Sequence, residues 1–176
     1  MKTKLLKKIN EKTITVGVVG LGYVGLPLAV EKAKAGFKTI GFDVQDEKVK
    51  LVNEGHNYIG DVVDNDLKEL VNNGMLTATT DFSFVKDVDF IAICVPTPLD
   101  THQQPDISYV KSSTEEISKY LTKGTMVVLE STTYPGTTEE LIKPILEEGS
   151  GLKSDFGIVR SKMRRRFLSG IFAGKS

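Results

Sequence analysis

The stretch ITVGVVGLGYVG, residues 14–25, decides the fold of this chain. Its first six residues form a short β-rich, mainly apolar segment that breaks at glycine, as a buried strand does before a turn. Residues 23–35 then carry apolar side chains at helical spacing. The pattern predicts a strand, a tight turn and a helix in direct succession.

The glycines of this turn match the signature G-x-G-x-x-G at the position its mechanism requires, between strand and helix. Gly20 permits the tight turn, Gly22 lets the backbone approach a pyrophosphate, and Gly25 lets helix and strand pack closely. Backbone N–H groups at the helix N-terminus would bind the anion. A glycine-rich turn without a ligand is the alternative for the motif alone, and its context favours a dinucleotide site.

Asp43 supplies the second part of such a site, eighteen residues after Gly25 and directly after a predicted strand at residues 38–42. A carboxylate there accepts hydrogen bonds from the adenosine ribose hydroxyls and repels a 2′-phosphate, which favours NAD over NADP. The nearest cation that follows is Lys48. The alternatives are a helix N-cap for Asp43 and a solvated helix residue for Lys48.

The rest of the chain continues the alternation of strands and helices. Further strands are predicted at residues 76–79, 90–95 and 126–129, and further helices at 46–53, 64–73, 105–121 and 137–148, with a helical turn from Asp81. Residues 90–95 are apolar at every position, as in a strand covered on both faces. We predict a Rossmann-type, doubly wound parallel sheet in a three-layer α/β/α arrangement with right-handed crossovers.

Composition narrows the class of protein. The 176 residues suit one domain, and 23 basic side chains balance 23 acidic ones, so no strong field points to nucleic acid. The longest apolar run, residues 90–95, is far shorter than the roughly 20 residues of a membrane-spanning helix. The lysine-rich start lacks the apolar region of a secretory signal. We predict a cytoplasmic protein without nucleic-acid or membrane partners.

The single cysteine and the two histidines are expected to be structural or exposed residues. Cys94 cannot form an internal disulfide, and within an apolar strand its pKa should be raised, so we predict a core residue. His56 and His102 fall in loop-like stretches without metal-ligand spacing, which indicates surface histidines. No metal site is predicted.

Three segments together resemble the UDP-glucose/GDP-mannose dehydrogenase family. They are VGLGYVGLP at residues 19–27, CVPTPL at 94–99 and ESTTYPGTTE at 130–139. The third is most similar to the UDP-N-acetylglucosamine and related UDP-N-acetylhexosamine 6-dehydrogenases of that family. The resemblance covers residues 14–161 and includes a sixth strand at 155–161.

The resemblance implies an NAD-dependent oxidoreductase. Members of the family oxidise the C6 alcohol of a nucleotide sugar twice, through an aldehyde and a cysteine thioester, to a uronic acid for surface polysaccharide synthesis. By motif, the adenosine and pyrophosphate would be held by Gly20, Gly22, Tyr23, Val24, Gly25, Asp43 and Lys48. The ribose and nicotinamide would be flanked by Val95, Pro96, Thr97 and Thr132, and Thr132 would also help to position a catalytic water.

The resemblance ends near residue 161, where KMRRR at 162–166 replaces the family's Pro-Glu-containing segment. We expect an NAD-binding domain over residues 12–161 and a divergent basic tail over 162–176. On this interpretation the family's central helix, substrate domain, nucleophilic cysteine and acid/base lysine are absent, and the chain alone is incomplete for catalysis. An apolar surface exposed in this way would favour self-association.

Two other functions use the same motifs. One is a stand-alone NAD(H)-binding module with a regulatory or scaffolding role, in which the basic tail contacts a partner. The other is a hydroxyacid or ketopantoate-type dehydrogenase, which shares the Rossmann half. The segment at residues 131–139 argues against the latter.

Overall fold

The structure is a computed structural model that describes residues 2–99, 104–131, 133–153 and 156–160. Thr132, His102 and the basic tail at 162–176 lie outside the described residues, so their predicted roles stay predictions.

The described residues form one parallel sheet with helices on both faces. Its strands are β1 (Thr15–Val19), β2 (Lys38–Phe42), β3 (Leu76–Thr79), β4 (Phe90–Ile93), β5 (Met126–Leu129) and β6 (Gly157–Arg160). The α-helices are α1 (Lys2–Asn10), α2 (Gly25–Lys34), α3 (Asp46–Asn53), α4 (Asp64–Asn72), α5 (Ser108–Ser118) and α6 (Lys143–Ser150), with a 3₁₀ helix at Phe82–Asp87 and a π-helical turn at Thr138–Ile142. The strand order β3-β2-β1-β4-β5-β6 confirms the predicted doubly wound Rossmann fold.

Alternate residues of the central strands point to opposite faces of the sheet and divide the core into two clusters. Val16 and Val18 of β1 pack with α1, α2 and α4, whereas Ile91 and Ile93 of β4 pack with α5, α6 and the 3₁₀ helix. Both faces are therefore covered, which explains why β4 is apolar at every position. The result is the predicted three-layer arrangement.

The N-terminal helix α1 was not predicted. Its Leu5 and Ile9 are buried in the same cluster as α2, because apolar side chains four positions apart share one face of a helix. Lys8 Nζ donates to Asp89 Oδ1 at 2.6 Å, and Asp89 Oδ2 accepts the N–H of Thr15 at 3.1 Å. Residues before position 12 thus pack on the domain, while the proposed domain boundary stays a prediction.

Several element bounds differ from the predictions; α5, for example, covers Ser108–Ser118 instead of residues 105–121. β4 ends at Ile93 instead of residue 95, because its neighbour β1 ends at Val19, the partner of Ile93, and turns away at Gly20. The predicted helix at 137–148 is divided into the π-helical turn and α6. Pro144, near the start of α6, has no N–H to donate to the preceding turn.

Candidate cofactor-binding site

The turn between β1 and α2 lies at the carboxyl edge of the sheet, where the strand order reverses between β1 and β4. Gly20 has a φ of 90°, which disfavours any residue with a Cβ. A Cβ at this position would also lie 3.0 Å from backbone atoms of Cys94 and Val95. Gly20 therefore lets the turn pass close to the end of β4.

The other two glycines of the turn have different surroundings. A Cβ on Gly25 would lie 1.7 Å from the carbonyl oxygen of Gly20, so only glycine lets α2 start this close to β1. A Cβ on Gly22 would meet nothing within 4 Å. Gly22 thus faces open space beside the start of α2, where the N-cap residue Val24 has no side-chain acceptor to compete with a ligand. These residues fit a pyrophosphate held by backbone N–H groups.

Asp43 follows β2 directly and points its carboxylate at the turn. Its Oδ2 accepts the N–H of Leu21 at 2.8 Å, and its Oδ1 accepts the N–H of Gln45 at 3.0 Å. Asp43 is 7% exposed. It is not the N-cap of α3, which is Gln45. A carboxylate has about four acceptor sites, so two backbone bonds leave capacity for a ribose diol.

Lys48 lies in the first turn of α3, and its Nζ is 3.8 Å from Asp43 Oδ2. The structure thus brings two of the predicted site residues together. The half-buried ammonium offsets part of the negative charge of Asp43 without making a short hydrogen bond to it.

Exposed apolar side chains surround this edge of the sheet. Tyr23 is 80% exposed and Val44 is 77% exposed, and they follow β1 and β2 respectively. Val24, Leu99 and Tyr134 are exposed in the segments that follow β1, β4 and β5. Apolar surface next to convergent polar groups suits a ligand with flat rings, such as a dinucleotide. Sequence reasoning missed Val44, because a lone valine after a strand carries no motif.

The two later segments of the resemblance meet at the same edge. Ser131 Oγ donates to the carbonyl of Val95 at 2.7 Å, which joins the ends of β4 and β5. Val95 is buried, Thr97 is half-buried and Pro96 is exposed. Val95 lies beside the glycine turn, where its backbone nitrogen is 3.0 Å from the Cβ position of Gly20, and Thr132 lies outside the described residues.

Tyr58 contacts the turn and was also missed. Its hydroxyl donates to the carbonyl of Leu21 at 2.7 Å. Burial, together with the nearby charge of Asp43, raises the pKa of Tyr58, so the hydroxyl remains a donor at neutral pH. No signal in the sequence indicated this contact, because Tyr58 lies in a loop without a recognised motif.

Cys94 and His56 have the burial that the sequence predicts. Cys94 is buried below the turn, and burial, with the charge of Glu130, raises the pKa of its thiol, which confirms the predicted core residue. His56 is exposed and lies 3.6 Å from Glu54.

In the described part of the chain, no three His, Cys, Asp or Glu side chains are grouped to hold a metal. Each helix there is too short or too polar to cross a membrane.

Comparison with known proteins places the site in a family. Residues 14–165 match the model of the UDP-glucose/GDP-mannose dehydrogenase family, NAD binding domain. The chain is 41% identical over 142 residues to the UDP-N-acetyl-D-glucosamine 6-dehydrogenase of Pseudomonas aeruginosa, covering 81% of this chain and 33% of that protein. It is 35% identical over 152 residues to the UDP-N-acetyl-D-mannosamine dehydrogenase of Pyrococcus horikoshii, covering 85% and 36%.

Comparison of the fold with solved structures agrees with the comparison of sequences. The structure of NDP-N-acetyl-D-galactosaminuronic acid dehydrogenase from Methanosarcina mazei superimposes with a TM-score of 0.78 at 34% identity, over 94% of this chain and 39% of that one. The chain spans about a third of the length of the curated relatives it matches. The glycine turn, the buried carboxylate and these matches agree: the chain belongs to the UDP-glucose/GDP-mannose dehydrogenase family and folds as its NAD-binding domain.

Proposed function

We propose that this chain provides the NAD site for oxidation of the C6 alcohol of a nucleotide sugar of the UDP-N-acetylhexosamine class. The observation that carries the proposal is the pairing of the glycine turn with Asp43 at the point where the strand order reverses. Ligands of open α/β sheets bind at such a point. Several relatives are named as dehydrogenases of UDP-N-acetylglucosamine or UDP-N-acetylmannosamine, which supports the substrate class.

The preference for NAD over NADP follows from charge. A 2′-phosphate would have to lie against the carboxylate of Asp43, which has little contact with water. Like charges in such surroundings repel more strongly than in bulk water. Lys48 offsets part of this repulsion, but at 3.8 Å it is already paired with Asp43. The geometry therefore favours a ribose with a free 2′-hydroxyl.

The described residues support cofactor binding more than turnover. The chain has one cysteine, Cys94, and its buried thiol is not available as the nucleophile of a thioester step. We assign to this chain the orientation of NAD, with Thr132 as a proposed contact to the catalytic water. We propose that the NAD-binding domain spans residues 12–161. We also propose that the protein is cytoplasmic and that the uronic acid product is used for surface polysaccharide synthesis.

The test has two stages, both on the whole chain. NADH fluorescence first measures cofactor binding, and NAD should displace NADH more effectively than NADP does. NADH formation is then followed with UDP-N-acetylglucosamine, UDP-glucose and a 2-hydroxy acid as substrates. We expect cofactor binding with little or no turnover. Any turnover should be confined to UDP-sugars, and NADH formation from the 2-hydroxy acid would contradict the substrate class.

A further inference from the structure

Leu21 is held at both of its backbone polar groups. Its N–H donates to Asp43 Oδ2 at 2.8 Å, and its carbonyl accepts the hydroxyl of Tyr58 at 2.7 Å. Its side chain is fully buried and packs so closely that a Cβ on Gly41 would lie 2.8 Å from it. The residue between the first two glycines of the turn is therefore fixed in orientation.

Fixing the Leu21 carbonyl also fixes the next N–H. The peptide bond between Leu21 and Gly22 is trans, and a trans peptide is planar with its C=O and N–H pointing in opposite directions. When the carbonyl is held toward Tyr58, the Gly22 N–H points away from Tyr58. Among the described residues this N–H has no hydrogen-bond partner, and the Cβ direction of Gly22 is open.

The loop that carries Tyr58 is itself held in place. Asn57 Nδ2 donates to the carbonyls of Ile59 and Val62, each at 2.6 Å, and Asn57 Oδ1 accepts the N–H of Ile59 at 2.8 Å. Ile59 and Val62 are buried in the core cluster that contains Leu21. These hydrogen bonds and buried side chains hold the loop, and with it the hydroxyl of Tyr58, in place.

We propose that Tyr58 is a positioning residue for the cofactor, which aims the Gly22 N–H at the pyrophosphate by holding the carbonyl of Leu21. Through Leu21 it also couples the pyrophosphate end of the site to Asp43 at the ribose end. This inference rests on the proposed NAD site and adds a residue that no motif of the family resemblance includes.

The test compares Tyr58→Phe with Tyr120→Phe. Phenylalanine keeps the ring of Tyr58 in the core and removes only the hydroxyl, and Tyr120 is an exposed phenol after α5, near the opposite edge of the sheet. We measure the ¹⁵N order parameter of Gly22 by NMR in the free protein, and the Kd for NAD by calorimetry. Tyr58→Phe should lower the order parameter from the rigid value of about 0.85. It should raise the Kd about three- to tenfold, the effect of one net hydrogen bond.

The outcomes separate the two proposals. If the wild type binds NAD, and Tyr58→Phe changes neither the Kd nor the Gly22 order parameter, the positioning role is wrong and the NAD site stands. A changed Kd with an unchanged order parameter also overturns the positioning role. If the wild type does not bind NAD, the proposed function fails, and the order parameter alone still shows whether Tyr58 orients Gly22. Tyr120→Phe should match the wild type in both measurements.

Discussion

The backbone N–H of Leu21 donates to Asp43 Oδ2 at 2.8 Å, although the two residues are 22 positions apart in the chain. The residue proposed to face the ribose therefore also holds the turn proposed to face the pyrophosphate. The two halves of the site are joined within the protein before any cofactor binds. Substitution of Asp43 should consequently affect both ends of the site.

Asp43→Asn should weaken NAD binding and reduce the preference for NAD over NADP. The amide has one acceptor oxygen in place of two, so it cannot accept both backbone N–H groups and the ribose hydroxyls as the carboxylate does. Hydrogen bonds to a charged group contribute about 1.5–3 kcal/mol, so the Kd for NAD should rise about tenfold or more. Calorimetry measures both cofactors, with Asp87→Asn as the exposed control. An unchanged ratio of the two Kd values would argue against the role of Asp43.

Gly25→Ala should destabilise the fold itself. The new methyl would lie 1.7 Å from the carbonyl oxygen of Gly20, and because that atom belongs to the backbone, the turn or α2 must move. Overpacking of this kind costs about 1–3 kcal/mol, and we expect the upper end or more. Urea denaturation gives the change in the free energy of unfolding. A variant as stable as the wild type would show that the approach of α2 to β1 is less close.

Gly22→Ala, in contrast to Gly25→Ala, should abolish NAD binding without destabilising the fold. The new methyl meets nothing within 4 Å and the backbone there needs no left-handed conformation, so the free energy of unfolding should be unchanged or higher by about 0.5 kcal/mol. The methyl would occupy the open space assigned to the pyrophosphate, and NAD binding should be lost. The same urea and calorimetric measurements apply. Wild-type affinity in this variant would place the pyrophosphate elsewhere.

Cys94 should be unreactive in the folded protein. Burial raises the pKa of its thiol, so the folded state favours the protonated form. Because the unfolded chain loses the thiol proton more readily, the free energy of unfolding falls as the pH rises above the unfolded pKa of about 8.5. Alkylation by iodoacetamide at about pH 8 should be slow in buffer and complete in urea, with Cys94→Ala as the blank. Rapid alkylation of the folded protein would contradict the assignment of Cys94 to the core.

Most of the fold was predictable, because local patterns and tertiary packing agree. The β-rich run before Gly20 and the all-apolar run at residues 90–95 reflect burial of β1 and β4 on both faces. The helix α1 was missed, because its lysines dominate the composition of residues 2–10 and the apolar pair Leu5 and Ile9 is too sparse to stand out. Its position depends on long-range contacts such as the one between Lys8 and Asp89.

The site was predictable where a motif fixes spacing and not where a contact depends on the third dimension. The glycines and Asp43 are recognisable because turn geometry and ribose recognition demand particular residue types at set positions. Tyr58 is different, since its hydroxyl reaches a carbonyl 37 positions earlier, and any loop of suitable shape could supply such a donor. Val44 likewise could not be singled out from the sequence, because only the folded structure shows that it is exposed at the carboxyl edge of the sheet.

Calorimetric titration of the wild-type chain with NAD and with NADP tests the central claim most directly. The buried carboxylate of Asp43 beside an open glycine turn predicts that NAD binds and that NADP binds at least about tenfold more weakly, the effect of one unfavourable charge contact. Equal affinity for the two cofactors, or binding of neither, would contradict the account.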